Sequence, residues 1–198
     1  IKNNMANNVY TVVSIESSKK VIKNFVDKIF TPEVEKADWQ KKSDLLADNL
    51  YGLLYKDYPK DNLTREWMTD NVGAKWCFIH DWQIDDDIID LTFDSAWYPP
   101  EELFHELADW FAKRGEFEME ARSEDEAYLH VSGGYANHNG SEFICEDEDI
   151  PEYPDEDDFI DNKDEYAYDE AVENFYDKIS EIKDDLINEC KQGLLIYP

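Results

Sequence analysis

The sequence predicts a single α+β domain. Three observations carry that expectation. Runs rich in β-branched and aromatic residues alternate with stretches whose apolar positions recur every three or four residues. The chain has 198 residues, which suits one core. Hydrophobic residues make up 42% of it, too much apolar material for a disordered chain even at a formal net charge of -29.

The elements follow in order. Val9, Thr11, Val12, Val13 and Ile15 crowd β-branched side chains into one run, which predicts a strand buried on at least one face. Ser17 and Ser18 are good helix caps, and Val21, Ile22, Phe25, Val26 and Ile29 follow at helical spacing, predicting a helix that ends before Pro32. A second helix is predicted over about Asp38 to Tyr55, with Leu46, Leu50, Leu53 and Leu54 on one side and Pro59 closing the segment. Asp61 to Gly73 reads as a short helix or loop. Trp76 to Ile84 and Ile88 to Phe93 are apolar runs separated by Asp85, Asp86 and Asp87, the pattern of a hairpin. Pro99 and Pro100 exclude a continuing strand and suit a helix start. Leu103, Phe104, Leu107, Trp110 and Phe111 then keep helical spacing as far as Gly115. Phe117 and Met119 alternate with glutamates, and Tyr128 to Ser132 has strand character, so a second hairpin is predicted.

Beyond this point the composition changes. From Glu142 to Glu170 there are fifteen acidic residues and one lysine, the pattern of a charged linker or wrap. Tyr168, Val172, Phe175, Ile179, Ile182, Leu186 and Cys190 then trace one stripe of a long amphipathic helix, with Gly193 as its expected stop. Residues 5–140 are therefore expected to form a ferredoxin-like antiparallel sheet with helices on one face. Residues 141–167 would be an acidic connecting segment, and residues 168–198 a C-terminal helix packed on the same domain.

The charge balance, 48 Asp plus Glu against 19 Lys plus Arg, repels nucleic acid and anionic membrane alike and selects basic surfaces or cations as partners. Glu142 to Glu170 carries a net -14, which leaves -15 on the remaining residues, so the acidity extends to the folded body. Cys77, Cys145 and Cys190 are an odd number without zinc-like pairing, which fits a reducing cytoplasm. No run of about 18 apolar residues and no secretion signal is apparent, and Met5 is the expected natural start.

Two short motifs add a resemblance. Asn71-Val72-Gly73-Ala74-Lys75-Trp76 is followed by Phe93-Asp94-Ser95-Ala96-Trp97-Tyr98-Pro99-Pro100. In that order they resemble the Api-ninety-two-like family carried by phages and plasmids, whose pattern is Asn-Trp-Gly-Thr-Lys-Trp-Asp and then Thr-Ala-Trp-Ser-Pro-Pro before a helix. The resemblance spans about Val9 to Tyr135 and includes Trp67 upstream of the motif and Gly133-Gly134, which it places after the last strand. It implies a ferredoxin-like domain and a mobile-element origin, and no established activity. Val72, Ala74, Cys77, Ser95 and Tyr98 depart from the family pattern, and Cys77 stands where the family has an aspartate.

No nucleotide-binding glycine motif, nucleophile elbow or EF-hand pattern occurs, and neither a cofactor nor a metal is expected. His80, His105, His130 and His138 are scattered. Carboxylates distributed along a folded surface compete for a groove that evolved to hold phosphates. The expected function is thus non-enzymatic: a phage counter-defence protein of the host cytoplasm that inhibits a basic, nucleic-acid-acting host enzyme or toxin without itself binding nucleic acid. Asp147, Glu148, Asp149, Asp155, Glu156, Asp157 and Asp158 would steer to the partner, and Tyr153 and Phe159 would supply apolar anchors. The alternative is a small enzyme or ligand-binding domain with a pocket at Lys75, Trp76, His80 and Trp97, residues whose first reading is packing.

Overall fold

The computed structural model describes residues 7–146, 150–159 and 166–196. Strand β1 (Asn8–Ser17) alternates strictly, with Val9, Thr11, Val13, Ile15 and Ser17 buried. Helix α1 (Lys19–Ile29) buries Val21, Ile22, Phe25 and Ile29 and stops before the short α2 (Pro32–Lys36). Helix α3 (Trp39–Leu54) is capped by Asp38, whose carboxylate accepts the Lys41 N–H at 3.0 Å. Helix α4 (Arg65–Val72) is capped by the Thr64 hydroxyl and ends at Gly73, which takes the left-handed φ of 88°. There follow β2 (Cys77–Ile84), β3 (Ile88–Ala96), α5 (Glu101–Ala112), β4 (Phe117–Asp125), β5 (Val131–Asn137), β6 (Gly140–Glu146), one 3-10 turn (Glu156–Phe159) and α6 (Ala167–Ile196).

The fold is α+β. Its six strands lie in the order β2-β3-β1-β4-β5-β6, and every adjacent pair is antiparallel. The register fixes the two faces. Val13 lies between Leu91 and Ala121, and Ile15 between Ile89 and Met119. All of these join one core with Phe25 of α1, Leu46 and Leu50 of α3 and Leu107 and Phe111 of α5. Edge strand β2 is closed by its own helix: the Tyr51 hydroxyl donates to the Cys77 carbonyl at 2.6 Å, and the Ser43 hydroxyl donates to the Ile79 carbonyl at 2.9 Å. Those carbonyls are thereby denied to an added strand.

The helices of residues 5–140 pack in one core on one face, and α6 covers the opposite face over β5, where Val131 meets Phe175, Ile179 and Leu186, and Tyr135 meets Ile187 and Cys190. Three sequence expectations are corrected. Gly133 and Gly134 lie inside β5 rather than after the last strand. A Cβ on Gly133 would stand 2.6 Å from the Leu186 Cβ, and one on Gly134 would stand 2.6 Å from the Phe143 ring on the other face. Strand β6 occupies the start of the segment assigned on composition to an acidic connection, since Phe143 and Ile144 each find a sheet face to pack on. Gly193 does not stop α6; the helix runs through it close against Glu142. Among the described residues, no helix is long and apolar enough to cross a membrane.

Candidate functional site

The two sequence motifs meet in space. A Cβ on Gly73 would lie 3.2 and 3.3 Å from the backbone nitrogens of Glu101 and Glu102, so glycine lets the end of α4 lie against the start of α5. The Ala96 N–H donates to the Trp76 carbonyl at 3.1 Å, and the Lys75 ammonium stands 4.8 Å from the Trp97 ring centroid. Trp97 itself has φ 74°, a left-handed conformation rare for an aromatic residue. With Tyr98 and Pro99 it forms the lip of a 200 Å³ cavity walled by Val9, Ser123, Asp125, His130, Ser132 and Cys145. The cavity's polar walls are tied into the fold: Ser123 donates to the Thr11 hydroxyl at 2.8 Å, and Asp125 accepts from the backbone of Leu129 and His130 and from the Asn7 amide.

Trp76 and His80 do not join that cluster. The Trp76 ring stacks on Phe78, with centroids 5.4 Å apart, on a groove that also contains Asp44, Asp48 and Lys75. His80 sits at the β2 bulge, its Nδ1 3.1 Å from the Asp94 carboxylate and its ring edge-on to Trp39. Asp94 is pulled two ways: burial pushes its carboxyl above the ordinary aspartate range, and His80 opposes that rise. The Asp94 Oδ1 is buried without a hydrogen-bond partner.

The largest feature that sequence reasoning missed is the face of the sheet beside α6. Successive rows across β2, β3, β1 and β4 on this face read Phe78, Asp94, Tyr10, Glu124 and then Asp81, Thr92, Val12, Arg122. The next row is Gln83, Asp90, Ser14, Glu120, and Ile88, Glu16 and Glu118 close the face. On β4 Glu120 and Glu124 are neutralised. Lys183 of α6 donates to Glu124 at 2.5 Å, Lys191 to Glu120 at 2.7 Å, and Arg122 joins Glu120 to Asp184. Across β1, β3 and β2 the outward residues include Glu16, Asp81, Asp90 and Asp94 and no Lys or Arg, while Tyr10, Val12 and Ile88 stand 39%, 42% and 37% exposed. The sequence carried one signal for this: β1 is apolar at both parities, with Tyr10 and Val12 between Val9, Thr11 and Val13, which is the pattern of a strand covered on both faces.

The acidic segment is partly described. Tyr153 stacks on Tyr128 and lies edge-on to Phe175 of α6, Ile150 packs beside them, and Phe159 meets Tyr168. Both expected aromatic anchors are thus engaged by this chain. Asp155 and Glu156 are exposed. Asp147, Glu148 and Asp149, and the side chains of Asp157 and Asp158, lie outside the described residues. Among the described residues, no group of three His, Cys, Asp or Glu side chains is arranged to hold a metal ion. No family model, curated protein or solved structure matches this chain.

Proposed function

We propose that this chain is a non-enzymatic binding protein that captures a basic, nucleic-acid-handling host protein and blocks its groove with carboxylates. The observation that carries the reading is the half of the sheet face where Glu16, Asp81, Asp90 and Asp94 stand among exposed Tyr10, Val12 and Ile88 with no Lys or Arg. A nucleic-acid ligand would meet like charge there, whereas a Lys- or Arg-bearing protein would be steered in and desolvated against the apolar patch. The motif resemblance together with a net charge of -29 supports reading this chain as a phage counter-defence protein of the host cytoplasm. A ferredoxin-like core of the Api-ninety-two-like kind is supported by the β1, helices, β2, β3, α5, β4 succession with β3 and β1 central. The test is capture of host proteins on the immobilised chain followed by competition. Release of a basic enzyme by duplex DNA or RNA, with loss of that enzyme's activity on adding the free chain, is the expected result. Capture that nucleic acid leaves undisturbed would contradict it.

A second reading, a small-ligand site at Trp97 with Lys75 against its ring, is favoured by the 200 Å³ cavity beneath the left-handed Trp97; Trp76 lies outside it. It expects a metabolite screen to raise the melting temperature of the wild-type chain and not of Lys75→Ala. A screen without hits would set this reading aside.

A further inference from the structure

We propose that the uncovered half of the sheet receives one amphipathic helix of the basic partner, laid alongside α6 with its cations on Asp90 and Asp94. The inference rests on the basic-partner reading and supplies its docking geometry. The covered half of the face gives the template. Helix α6 sets Ile179, Leu186, Ile187 and Cys190 on β5 and reaches sideways with Lys183 and Lys191 to Glu124 and Glu120 of β4. Those lysines are eight residues apart, about 12 Å of helix, and the glutamates four residues apart, about 13 Å of strand. The two spacings match.

The same carboxylate pair recurs on the bare half. Tyr10 lies between Glu124 and Asp94, and Ser14 lies between Glu120 and Asp90, so Asp94 and Asp90 repeat the β4 pair two strands away. Two strands are about 10 Å, and packed helices lie roughly 8–10 Å axis to axis. A second helix next to α6 therefore finds a second pair of carboxylates at the right pitch. Tyr10 and Val12 between them offer apolar area. Strand addition is the poorer solution, because Tyr51 and Ser43 already hold the Cys77 and Ile79 carbonyls in the first half of β2. A second copy of this chain is also a poor occupant, since it carries net -29 and the outer positions of α6 include Glu173, Asp177, Glu181 and Asp185. Like charge would face like charge.

The test uses the full chain and two synthetic peptides of about 18 residues, long enough for five turns. One is a Leu/Lys amphipathic helix with lysines eight apart on one flank; the other has the same composition with two central prolines. Expected are amide shift changes centred on Tyr10, Val12, Asp90, Thr92 and Asp94, helix formation by the first peptide, and affinity at least about tenfold above the second. The Asp90→Asn, Asp94→Asn double variant, folded as judged by its spectrum, should lose about tenfold in affinity, and Val12→Ser should weaken binding independently of charge. Equal binding of the proline peptide would overturn the helical occupant. Shifts confined to residues 150–159 and the outer face of α6, with the double variant binding as wild type, would overturn this surface and leave the basic-partner reading standing. No binding of either peptide at low salt would remove both.

Discussion

Single side chains decide how closely the layers approach. Gly133 is the sharpest case, because a methyl group there meets the Leu186 Cβ at 2.6 Å and the Ile187 backbone nitrogen at 2.9 Å, neither of which can swing away. Gly133→Ala is expected to cost about 1–3 kcal/mol as an overpacked site, read by urea unfolding. At Gly193→Ala the nearest atoms are those of the Glu142 carboxylate, the far end of a flexible side chain, so the cost should be much less. Tyr51→Phe keeps the ring and removes the donor to the buried Cys77 carbonyl, so a loss of about 1–3 kcal/mol is expected from the unmade hydrogen bond. Burial pushes the Cys77 thiol far above its usual range, and only in part does Tyr51 offset this. Native-state alkylation at pH 8 should therefore spare Cys77, and mass spectrometry of the labelled peptide checks it.

Among the elements, α6 was legible as a helix and illegible as a layer. Its stripe from Tyr168 to Cys190 follows from periodicity alone, but nothing in that stripe says which face of the sheet it covers. The information lay in β5, whose Gly133 and Gly134 look like a turn in sequence and are instead the thin places where α6 and Phe143 press in from opposite sides. Strand β6 was hidden for a related reason: Glu142 and Glu146 made its composition look like a tail, while Phe143 and Ile144 hold it to the sheet. Hairpin β2-β3 and helices α1, α3 and α5 were readable because their apolar periods match their burial. Of the candidate site, the Lys75–Trp97 pair was readable from its motifs. The Asp90 and Asp94 pair was not, since its meaning depends on strand register. The link between α6 and β4 has a pH signature. Burial pushes the Glu120 carboxyl up, but Lys191 and Arg122 outweigh it and hold the group below its ordinary value. A depressed carboxyl stabilises the fold above its unfolded pKa and loses that contribution as pH falls through the folded value. Lys191→Met should therefore destabilise the chain at pH 7 and progressively less below about pH 4, as followed by thermal unfolding across pH.

At the scale of the whole molecule, charge is the dominant property. A net -29 on 198 residues repels itself, and only some of that repulsion is relieved by internal pairs such as those of Lys183, Lys191 and Arg122. Raising salt from low to physiological strength shortens the screening length to about 8 Å. The melting temperature is accordingly expected to rise by roughly 3–6 °C, while affinity for a basic partner falls. That opposite response separates a surface tuned for a partner from acidity that serves solubility alone, which would leave no partner affinity to lose. The bare half of the sheet is the surface where the basic partner is expected to bind. Its most direct test is carboxylate footprinting: carbodiimide-driven amidation of the chain, alone and saturated with the partner captured from host lysate, read site by site by mass spectrometry. Loss of labelling at Glu16, Asp81 and Asp90, with the outer acids of α6 still modified, is the expected result. Unchanged labelling at those three positions in the saturated complex would contradict the account.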